Sequence, residues 1–414
     1  MNNKKIVIIG AGVSGLVAAI NLEKAGYKPI IYDQNDRVGG RVQTDYIDGY
    51  IFDKGFQILL PNYPAAQKYL DIRLLQLKSF APGAFIFKNG EQGKLGNPAK
   101  DFDLLFSTLF SKLAHFSDKL KIIKLYRSLK YKSLEEIFSS KNQTTYEYLK
   151  SFGFSDKIID NFFKPFYAGV FLEENLETSS RMFEFTFKLF AETKAGIPEK
   201  GIQAIPNQLA NQLKHTRFHF NTKVTDVKDG VITLKDHSQI KADFIIIATE
   251  PSNLISNLKN QSQNWKSVDN LYFEVKNRVI NLPMIGLIAE ENTLVNNFHY
   301  SSLASAQKQV LSVSVVKDHN LSDKELSEKV QKELLDICNI RSHKLLKHYK
   351  IPKALPDLKH INYHIPHTET KLKDQIFLAG DVLSNGSLNA AMLNGESAAK
   401  AVLEQINGIT LDVG

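Results

Sequence analysis

The stretch IVIIGAGVSG, residues 6–15, decides the fold of this chain. Its first four residues are apolar and β-branched, which predicts a short, buried parallel strand. Three glycines follow at the spacing G-x-G-x-x-G: Gly10, Gly12 and Gly15. In a turn of this kind the first glycine permits a tight bend, and the second lets a pyrophosphate approach the backbone. The third lets the next helix pack closely against the strand, so the stretch predicts a strand–turn–helix unit that binds a dinucleotide.

The residues after the turn agree with this prediction. The segment from Ser14 to Ala25 predicts a helix that ends at Gly26, and its N-terminal N–H groups would face the phosphates. Residues 29–32 predict a second strand. Asp33 follows that strand about 20 residues past the glycines, where an acid accepts a hydrogen bond from a ribose hydroxyl. An ordinary βαβ unit with a glycine-rich turn is the alternative.

The segment DRVGGRV, residues 36–42, indicates which dinucleotide is bound. It resembles the G-G-R segment of the flavin amine oxidase superfamily, which includes amine oxidases, protoporphyrinogen oxidases and phytoene or carotenoid desaturases. The resemblance implies that the cofactor is FAD and that Arg41 reaches its diphosphate, since a guanidinium can pair with two phosphate oxygens. A surface turn that contains an arginine is the alternative.

Further segments resemble the same superfamily. DKGFQ, residues 53–57, is similar to a segment that passes beside the isoalloxazine ring, where a glycine permits a close backbone approach. Residues 196–210 resemble the segment in which the chain returns to the FAD domain, with Lys200 where glycine is usual. The strand that follows leads to Val224, and the resemblance implies that its backbone contacts the adenine.

The C-terminal region carries the last motif. AGD, residues 379–381, ends a predicted strand, and GSLNAA, residues 386–391, begins a predicted helix. Together they resemble the C-terminal FAD motif of the superfamily, in which the Asp binds the ribityl or diphosphate region and the helix start faces the N1–O2 edge of the flavin. The cofactor-binding residues that all these segments imply are Gly10, Ala11, Gly12, Val13, Ser14, Gly15, Asp33, Gly40, Arg41, Gly55, Phe56, Gln57, Val224, Gly380, Asp381, Leu388, Asn389 and Ala390.

Composition limits the class of protein. A chain of 414 residues with 43% hydrophobic and 23% charged residues has room for two or three globular domains. Its one cysteine, Cys338, excludes internal disulfides and dithiol flavoenzyme chemistry. No apolar run approaches the ~20 residues that span a bilayer, and the first residues lack the features of a signal peptide. We therefore expect a cytoplasmic protein.

The net charge of +8, with a pI near 9.1, allows two interpretations. The charge belongs either to a lysine-rich, solvated surface or to a surface that contacts an anionic membrane. The sequence contains no nucleic-acid-binding motif, so nucleic acid is not expected as a partner. Residues 112–134 predict a basic amphipathic helix, or two. Its apolar side would either pack on the core or lie on the inner face of a membrane, where a lipophilic substrate could enter. The apolar residues at helical spacing are Leu113, Phe116, Leu120, Ile123 and Tyr126.

Two other clusters bear on the substrate and on metals. The aromatic run FFKPFYAGVF, residues 162–171, resembles the desaturase and protoporphyrinogen oxidase branches, and flat side chains suit a conjugated or isoprenoid substrate as well as an ordinary core. His360, His364 and His367 lie close together in sequence. They have no cysteine or carboxylate partner at ligand spacing, so no metal site is predicted.

The fold class expected is α/β: a Rossmann-like FAD-binding domain of the GR2 type, an inserted α+β substrate domain and a helical subdomain. Residues 1–75, 195–255 and 355–414 would form the FAD domain. Residues 76–194 would form the helical, substrate- or membrane-facing subdomain, and 256–354 the sheet of the substrate domain. Within this last region, strands are predicted at 279–288 and 310–316, and a helix from Ser322, an N-cap with Glu325 three residues on, to Cys338.

The function expected is oxidation of a substrate by FAD. There is one G-x-G-x-x-G and no second nucleotide motif, so the substrate itself would reduce the flavin by hydride transfer to N5, and oxygen or a quinone would reoxidise it. The C-terminal motif lacks the aromatic residue that amine oxidases place there, which favours a large apolar substrate such as an isoprenoid, a carotenoid or a porphyrinogen. An amine or amino-acid oxidase and a flavin-binding protein without catalysis are the alternatives. No acid or base stands out as a catalytic residue.

Overall fold

The computed structural model describes residues 4–96, 115–301 and 309–408. The described residues form α-helices, short 3-10 turns and a π-helical segment at Ile159–Phe163. The helices are α1 Val13–Lys24, α2 Pro64–Tyr69, α3 Phe116–Lys130, α4 Leu134–Ser139, α5 Thr145–Ser151, α6 Asp156–Ile158, α7 Lys164–Phe171, α8 Ser180–Glu192, α9 Ala204–Ala210, α10 Asp323–Cys338 and α11 Leu388–Ile406.

The strands form two larger sheets and several small ones. In chain order they are β1 Ile6–Ile9, β2 Ile30–Tyr32, β3 Thr44–Ile47, β4 Tyr50–Asp53, β5 Leu77–Ser79, β6 Gly83–Lys88, β7 Glu91–Gly96, β8 Gly196–Pro198, β9 Arg217–His219, β10 Val224–Lys228, β11 Val231–Leu234, β12 Gln239–Lys241, β13 Phe244–Ile247, β14 Trp265–Val275, β15 Ile285–Ile288, β16 Val295–Ser301, β17 Gln309–Val315, β18 Ser342–Pro356, β19 Lys371–Lys373 and β20 Ile376–Leu378.

The first sheet has the order β19-β20-β13-β1-β2-β9, and every neighbouring pair except β19–β20 is parallel. β1 lies in its centre and is buried along its whole length. Ile6 and Ile8 pack in the cluster that contains α1 and α11, while Val7 and Ile9 pack in the cluster that contains the three-stranded sheet β10-β11-β12. Both faces of β1 are therefore covered, which is why its sequence is apolar at every position. The predicted α/β, Rossmann-like arrangement is confirmed.

Two glycines permit close backbone approaches around the start of α1. A Cβ on Gly15 would stand well under 3.0 Å from the carbonyl oxygen of Gly10, and a Cβ on Gly395 equally close to that of Ser14. Only glycine permits these approaches, so the start of α1 is clamped between the turn before it and the C-terminal helix. α1 ends as predicted at Gly26, whose φ is +86°.

The second sheet has the order β18-β14-β17-β16-β15-β6-β7. α10 packs on it through Leu326, Val330 and Leu334 and begins at the predicted capping box of Ser322 and Glu325. β6 and β7 join this sheet through the parallel pair β6–β15, so the prediction that residues 76–194 are helical is wrong for 83–96. The strand predicted at 279–288 contains only Ile285–Ile288, since Pro283 cannot donate to a ladder.

The third region, residues 116–192, is helical and has an aromatic core. Phe163, Tyr167 and Phe171 are buried there, with the ring centroids of Tyr167 and Phe183 4.9 Å apart. The aromatic run therefore supplies core residues in this region. Among the described residues, no helix is long and apolar enough to cross a membrane.

The face of α3 that packs on the core differs from the predicted one. Leu125 and Leu129 are buried, whereas Phe116 and Leu120 are 63% and 54% exposed, and Ile123 and Tyr126 are only partly covered. The buried carboxylate of Asp118, which accepts hydrogen bonds from the N and Oγ of Ser155 at 3.0 and 2.5 Å, fixes this rotation. Leu113 and the other predicted residues before 115 lie outside the described ranges.

Candidate active site

The glycine-rich turn joins β1 to α1 in the geometry that its spacing predicts. Gly10 has a φ of +109° and donates a hydrogen bond to the carbonyl of Tyr32 at 2.8 Å. Gly12 is extended, with φ −71° and ψ 174°, and a Cβ there would meet no atom within 4 Å. The turn thus leaves the backbone open at Gly12, directly before the first N–H groups of α1.

Asp33 ends β2 beside this turn. One carboxylate oxygen accepts a hydrogen bond from the N–H of Ala11 at 2.6 Å, and the other accepts from the N and Nδ2 of Asn35 at 2.8 and 2.9 Å. The side chain is buried and held in one orientation. A carboxylate has about four lone-pair sites, so Asp33 keeps capacity to accept from a further hydroxyl.

Val224 lies near the same edge of the sheet. It is buried at the start of β10, two residues after Thr222, whose N–H donates to the carbonyl of Asp33 at 2.8 Å. The structure therefore brings the predicted adenine-contacting strand next to Asp33.

Ser14, in the first turn of α1, carries a side-chain hydroxyl that is buried and has no hydrogen-bond partner within the described part of the chain. Val13, before it, is buried. The G-G-R segment lies against this turn, since Gly39 donates to the carbonyl of Ala11 at 2.9 Å. Gly40 has a φ of +61°, and a Cβ there would stand 3.3 Å from the Cα of Gly12. A buried donor without a partner costs free energy, so the Ser14 hydroxyl marks a place for a polar ligand.

Arg41 and Asp381 form an ion pair that joins the two predicted FAD motifs. The Arg41 guanidinium also lies over the indole ring of Trp265, 5.0 Å from its centroid. Trp265 in turn donates from Nε1 to Glu250 at 2.9 Å, and Glu250 pairs with Lys353. Sequence reasoning missed Trp265, although it is the one tryptophan in the chain and could have been singled out for that reason.

The C-terminal motif is organised around buried asparagines. The Oδ1 of Asn389 accepts from the N–H of Ala65 at 3.0 Å, and the Nδ2 of Asn394 donates to the carbonyl of Gly380 at 2.7 Å. Ser387 caps α11 by accepting from the N–H of Ala390 at 3.0 Å. Leu388 and Asn389 therefore lie in the first turn of α11, and the side chain of Asn389 anchors α2.

We call residues 53–57 the D-x-G segment; its first residue, Asp53, is the last residue of β4. Asp53 is buried, and its Oδ1 accepts from Thr44 Oγ1 at 2.6 Å and from the N–H of Ile202 at 2.9 Å. Burial raises the pKa of Asp53 from 3.8 to about 6, and the two hydrogen bonds oppose that rise. Gly55 has a φ of +92°, and Gln57 donates to the carbonyl of Arg41 at 3.0 Å. This last bond connects the D-x-G and G-G-R segments.

A cavity of about 210 Å³ opens beside Gly55 and Phe56; we call it the Phe56 cavity. Its apolar lining comes from the D-x-G segment, from β16 and from the loop before β15. Lys78 and Arg278 also line it. The lining includes Phe56, Phe80, Leu282, Met284, His299 and Tyr300.

A second cavity, of about 580 Å³, lies beside Gly386 and Ser387 at the start of α11; we call it the Gly386 cavity. Phe171 and Met182 of the helical region line its other side. The two cavities thus adjoin two different segments that the sequence connects with the isoalloxazine ring.

His299, on β16, is the second residue that sequence reasoning missed. Only 5% of it is exposed, and its Nδ1 has no hydrogen-bond partner in the described ranges. Its ring stacks on that of Phe56, with centroids 4.3 Å apart and planes 29° apart. Burial lowers the pKa of His299 from 6.5 to about 3, so the imidazole is neutral. The only signal in the sequence was a histidine between apolar and aromatic residues of a strand.

The three histidines near 364 do not converge on one point. His367 pairs through Nε2 with Glu404 at 2.9 Å. Across the described ranges, no three His, Cys, Asp or Glu side chains form a group that could hold a metal ion.

Two curated proteins are similar to parts of this chain in sequence. The chain is 27% identical over 173 residues to protoporphyrinogen oxidase 2, chloroplastic/mitochondrial, of Arabidopsis thaliana. This match covers 41% of this chain and 33% of that protein. It is 43% identical over 63 residues to 4,4'-diaponeurosporene oxygenase of Staphylococcus haemolyticus, or 15% of this chain and 12% of that protein. The matches thus span about a third and about an eighth of these curated relatives.

Solved structures resemble the whole fold. A double mutant of putrescine oxidase has a TM-score of 0.73 at 17% identity, covering 97% of this chain and 99% of that one. An oxidoreductase from Methanosarcina mazei also has a TM-score of 0.73, at 16% identity, covering 96% and 100%. The model of the family "flavin containing amine oxidoreductase" matches residues 13–403. The resemblance found in the sequence is confirmed, and this chain belongs to the flavin containing amine oxidoreductase family.

Proposed function

We propose that this protein binds FAD and oxidises a large apolar substrate, an isoprenoid, carotenoid or porphyrinogen, by accepting a hydride at flavin N5. The observation that carries the cofactor assignment is the buried, unpartnered hydroxyl of Ser14 beside the open backbone of Gly12. A diphosphate oxygen would accept from this hydroxyl and from the first N–H groups of α1. The positive end of α1 favours the same ligand.

The other predicted residues fit the remaining parts of FAD. Asp33 has accepting capacity for a ribose hydroxyl, and Val224 lies nearby for the adenine. Arg41 has five donors, so its pair with Asp381 leaves donors for a phosphate. We assign the diphosphate to Gly10, Ala11, Gly12, Val13, Ser14, Gly15, Gly40 and Arg41, the ribityl chain to Gly380 and Asp381, and the ring to Gly55, Phe56, Gln57, Leu388, Asn389 and Ala390.

When bound, FAD supplies a two-electron acceptor that oxygen or a quinone can regenerate. The protein's own residues orient the partners and exclude water. Phe56 and Phe80 make one wall of the Phe56 cavity apolar. Ser387 fixes the first turn of α11, whose N–H groups and dipole favour negative charge at the edge of the ring.

The charges around the Phe56 cavity favour an apolar substrate over an amine. Lys78 and Arg278 are cationic, and the one carboxylate of the lining, Asp53, already accepts two hydrogen bonds. An ammonium group would meet like charges and no free carboxylate there. The names of the matched relatives, a protoporphyrinogen oxidase and a carotenoid oxygenase, support the same choice. Putrescine oxidase shares the fold at 17% identity, which does not extend to its substrate.

We further propose that the exposed apolar residues of α3 rest on the inner face of a membrane, with the protein otherwise cytoplasmic. Phe116 and Leu120 are solvent-exposed, and Lys124 and Arg127 on the same helix are exposed as well. Apolar residues among basic ones are the composition of a helix that lies on anionic lipid. An apolar substrate would reach the protein from that surface.

Absorption spectroscopy of the purified protein tests the proposal. We expect the absorption bands of bound flavin, and anaerobic bleaching by a porphyrinogen or a polyene. A colourless protein that does not bind added FAD refutes the cofactor. Bleaching by amines alone refutes the substrate class and supports an amine or amino-acid oxidase. A bound flavin that no member of such a panel reduces would indicate a binding protein without catalysis.

A further inference from the structure

His299 is held in a fixed orientation at the Phe56 cavity. Phe56 stacks on one face of its ring, and Phe80 approaches both rings edge-on, with centroids 5.6 Å from His299 and 5.8 Å from Phe56. The three rings come from the D-x-G segment, the loop after β5 and β16, so three separate parts of the chain fix the imidazole. Such packing leaves the ring little freedom to turn toward another partner.

The Nδ1 of His299 has no hydrogen-bond partner within the described part of the chain, although the atom is buried. Leaving a buried polar nitrogen unpaired destabilises the fold, whichever tautomer is present. A leucine or phenylalanine at this position would avoid that cost and would pack as well against Phe56 and Phe80. A group bound in the Phe56 cavity, which His299 lines, would supply the hydrogen-bond partner that the described residues do not offer.

The charges near the cavity restrict that partner. Arg278 donates from Nε to the carbonyl of Ile280 at 2.7 Å and lies over the ring of Tyr300, 4.8 Å from its centroid. Lys78 pairs with Glu199 at 3.5 Å. Two cations thus line the cavity in which a neutral imidazole is buried, and a positively charged partner is disfavoured there.

We propose that His299 contacts the substrate directly, and that the substrate carries one uncharged hydrogen-bonding group, a hydroxyl, a carbonyl or a ring N–H, on an otherwise apolar body. The inference rests on the proposed function and narrows it, since a pure hydrocarbon would leave His299 unpaired. His299 orients this group while Phe56 and Phe80 contact the apolar part. It carries no charge and takes no proton in this role.

Binding of two matched probes to the FAD-loaded protein tests this inference. Naphthalene and 1-naphthol differ by one hydroxyl, and calorimetry measures the Kd of each, while a shift of the flavin absorption shows that the probe lies near the ring. We expect the wild type to prefer 1-naphthol by about three- to tenfold, the range that one hydrogen bond supplies. If the wild type binds naphthalene and 1-naphthol equally well, the inference is wrong, and no variant is needed to show it.

Variants test whether His299 causes the preference for 1-naphthol over naphthalene. In His299→Phe the stacking is kept and the nitrogen is lost, so the ratio of the two Kd values should fall to about one. His299→Asn, which keeps an amide near the position of Nδ1, should restore part of it. The matched control is His343→Phe, an exposed histidine of β18 in the same sheet, which should keep the wild-type ratio. A His299→Phe protein that binds FAD and still prefers 1-naphthol would contradict the inference. Failure of the wild type to bind FAD would contradict the proposed function instead.

Discussion

Arg41 and Asp381 lie 340 residues apart in sequence and form an ion pair in the folded chain. Asp381 is almost completely buried, while the Arg41 side chain keeps part of its surface open. The pair joins the G-G-R segment, which lies against the glycine turn, to the residues that follow β20. The start and the end of the chain therefore meet at the place where the diphosphate is proposed to bind.

Arg41→Lys should weaken FAD binding by about tenfold while the protein still folds. Lysine keeps the charge but loses the planar fork that can hold Asp381 and a phosphate at the same time. Calorimetric titration of the apoprotein with FAD measures this effect. Arg37→Lys is the matched control, because Arg37 pairs with Asp45 at 2.5 Å in the same segment and has no proposed part in binding. Equal FAD affinity of Arg41→Lys and wild type would contradict the role of Arg41.

The glycines of the turn give a prediction that separates binding from folding. Gly12→Ala should leave the Tm of the apoprotein nearly unchanged, because the backbone there is extended and the added Cβ meets nothing within 4 Å. It should weaken FAD binding strongly, since the methyl group takes the space through which a phosphate approaches.

Gly15→Ala, unlike Gly12→Ala, should destabilise the apoprotein itself. Its Tm should fall by several degrees, because the added Cβ would collide with the carbonyl of Gly10. Thermal denaturation with and without FAD measures both variants. If Gly12→Ala binds FAD as tightly as the wild type, the diphosphate does not pass over Gly12.

Local sequence signals were sufficient to predict those elements whose structure is determined by their own residues. The strand–turn–helix at 6–24 and the capping box of α10 follow from residue spacing and capping chemistry. The parallel strands β1 and β2 follow as well, since short apolar runs around a glycine-rich turn are typical of buried parallel strands.

What the sequence could not predict depends on contacts between distant residues. The pairing of β6 with β15 places residues 83–96 in the second sheet, and no local pattern encodes that partner. The rotation of α3 is decided by the contact of Asp118 with Ser155, not by its apolar spacing alone. His299 became recognisable as a site residue only because the fold brings Phe56 and Phe80 against it.

The exposed face of α3 leads to a prediction about membranes. The double variant Phe116→Ser/Leu120→Ser should bind vesicles of phosphatidylcholine with about 30% phosphatidylserine about tenfold more weakly than wild type, because two apolar side chains no longer enter the lipid. Sedimentation with vesicles measures the bound fraction. Leu74→Ser is the matched control, since Leu74 is 74% exposed but lies far from α3 in sequence. If the double variant and the control bind equally, α3 does not contact the membrane.

Asp53 gives a prediction for stability against pH. Burial raises its pKa in the folded protein from 3.8 to about 6, so the folded state holds a proton on this group more tightly than the unfolded state. The resulting stabilisation is present in full below about pH 3.8 and is lost as the pH rises through 6. Asp53→Asn is never charged and can still accept from Thr44 and Ile202, so it should not share this loss. Its stability relative to wild type should therefore increase from pH 4 to pH 8, by up to about 3 kcal/mol.

Urea unfolding of both proteins at about pH 4, 6 and 8 measures this difference, and Asp243→Asn provides a control of opposite sign. A backbone hydrogen bond from Lys5 at 2.7 Å and the charge of Lys4 lower the pKa of the Asp243 carboxyl. Its stabilisation is present above pH 3.8 and is lost as the pH falls, so Asp243→Asn should be less stable than wild type at pH 8 and approach it in acid. If Asp53→Asn also loses stability relative to wild type as the pH rises, then folding lowers the pKa of Asp53 instead of raising it, and solvent or a cation must reach the carboxylate from the Phe56 cavity.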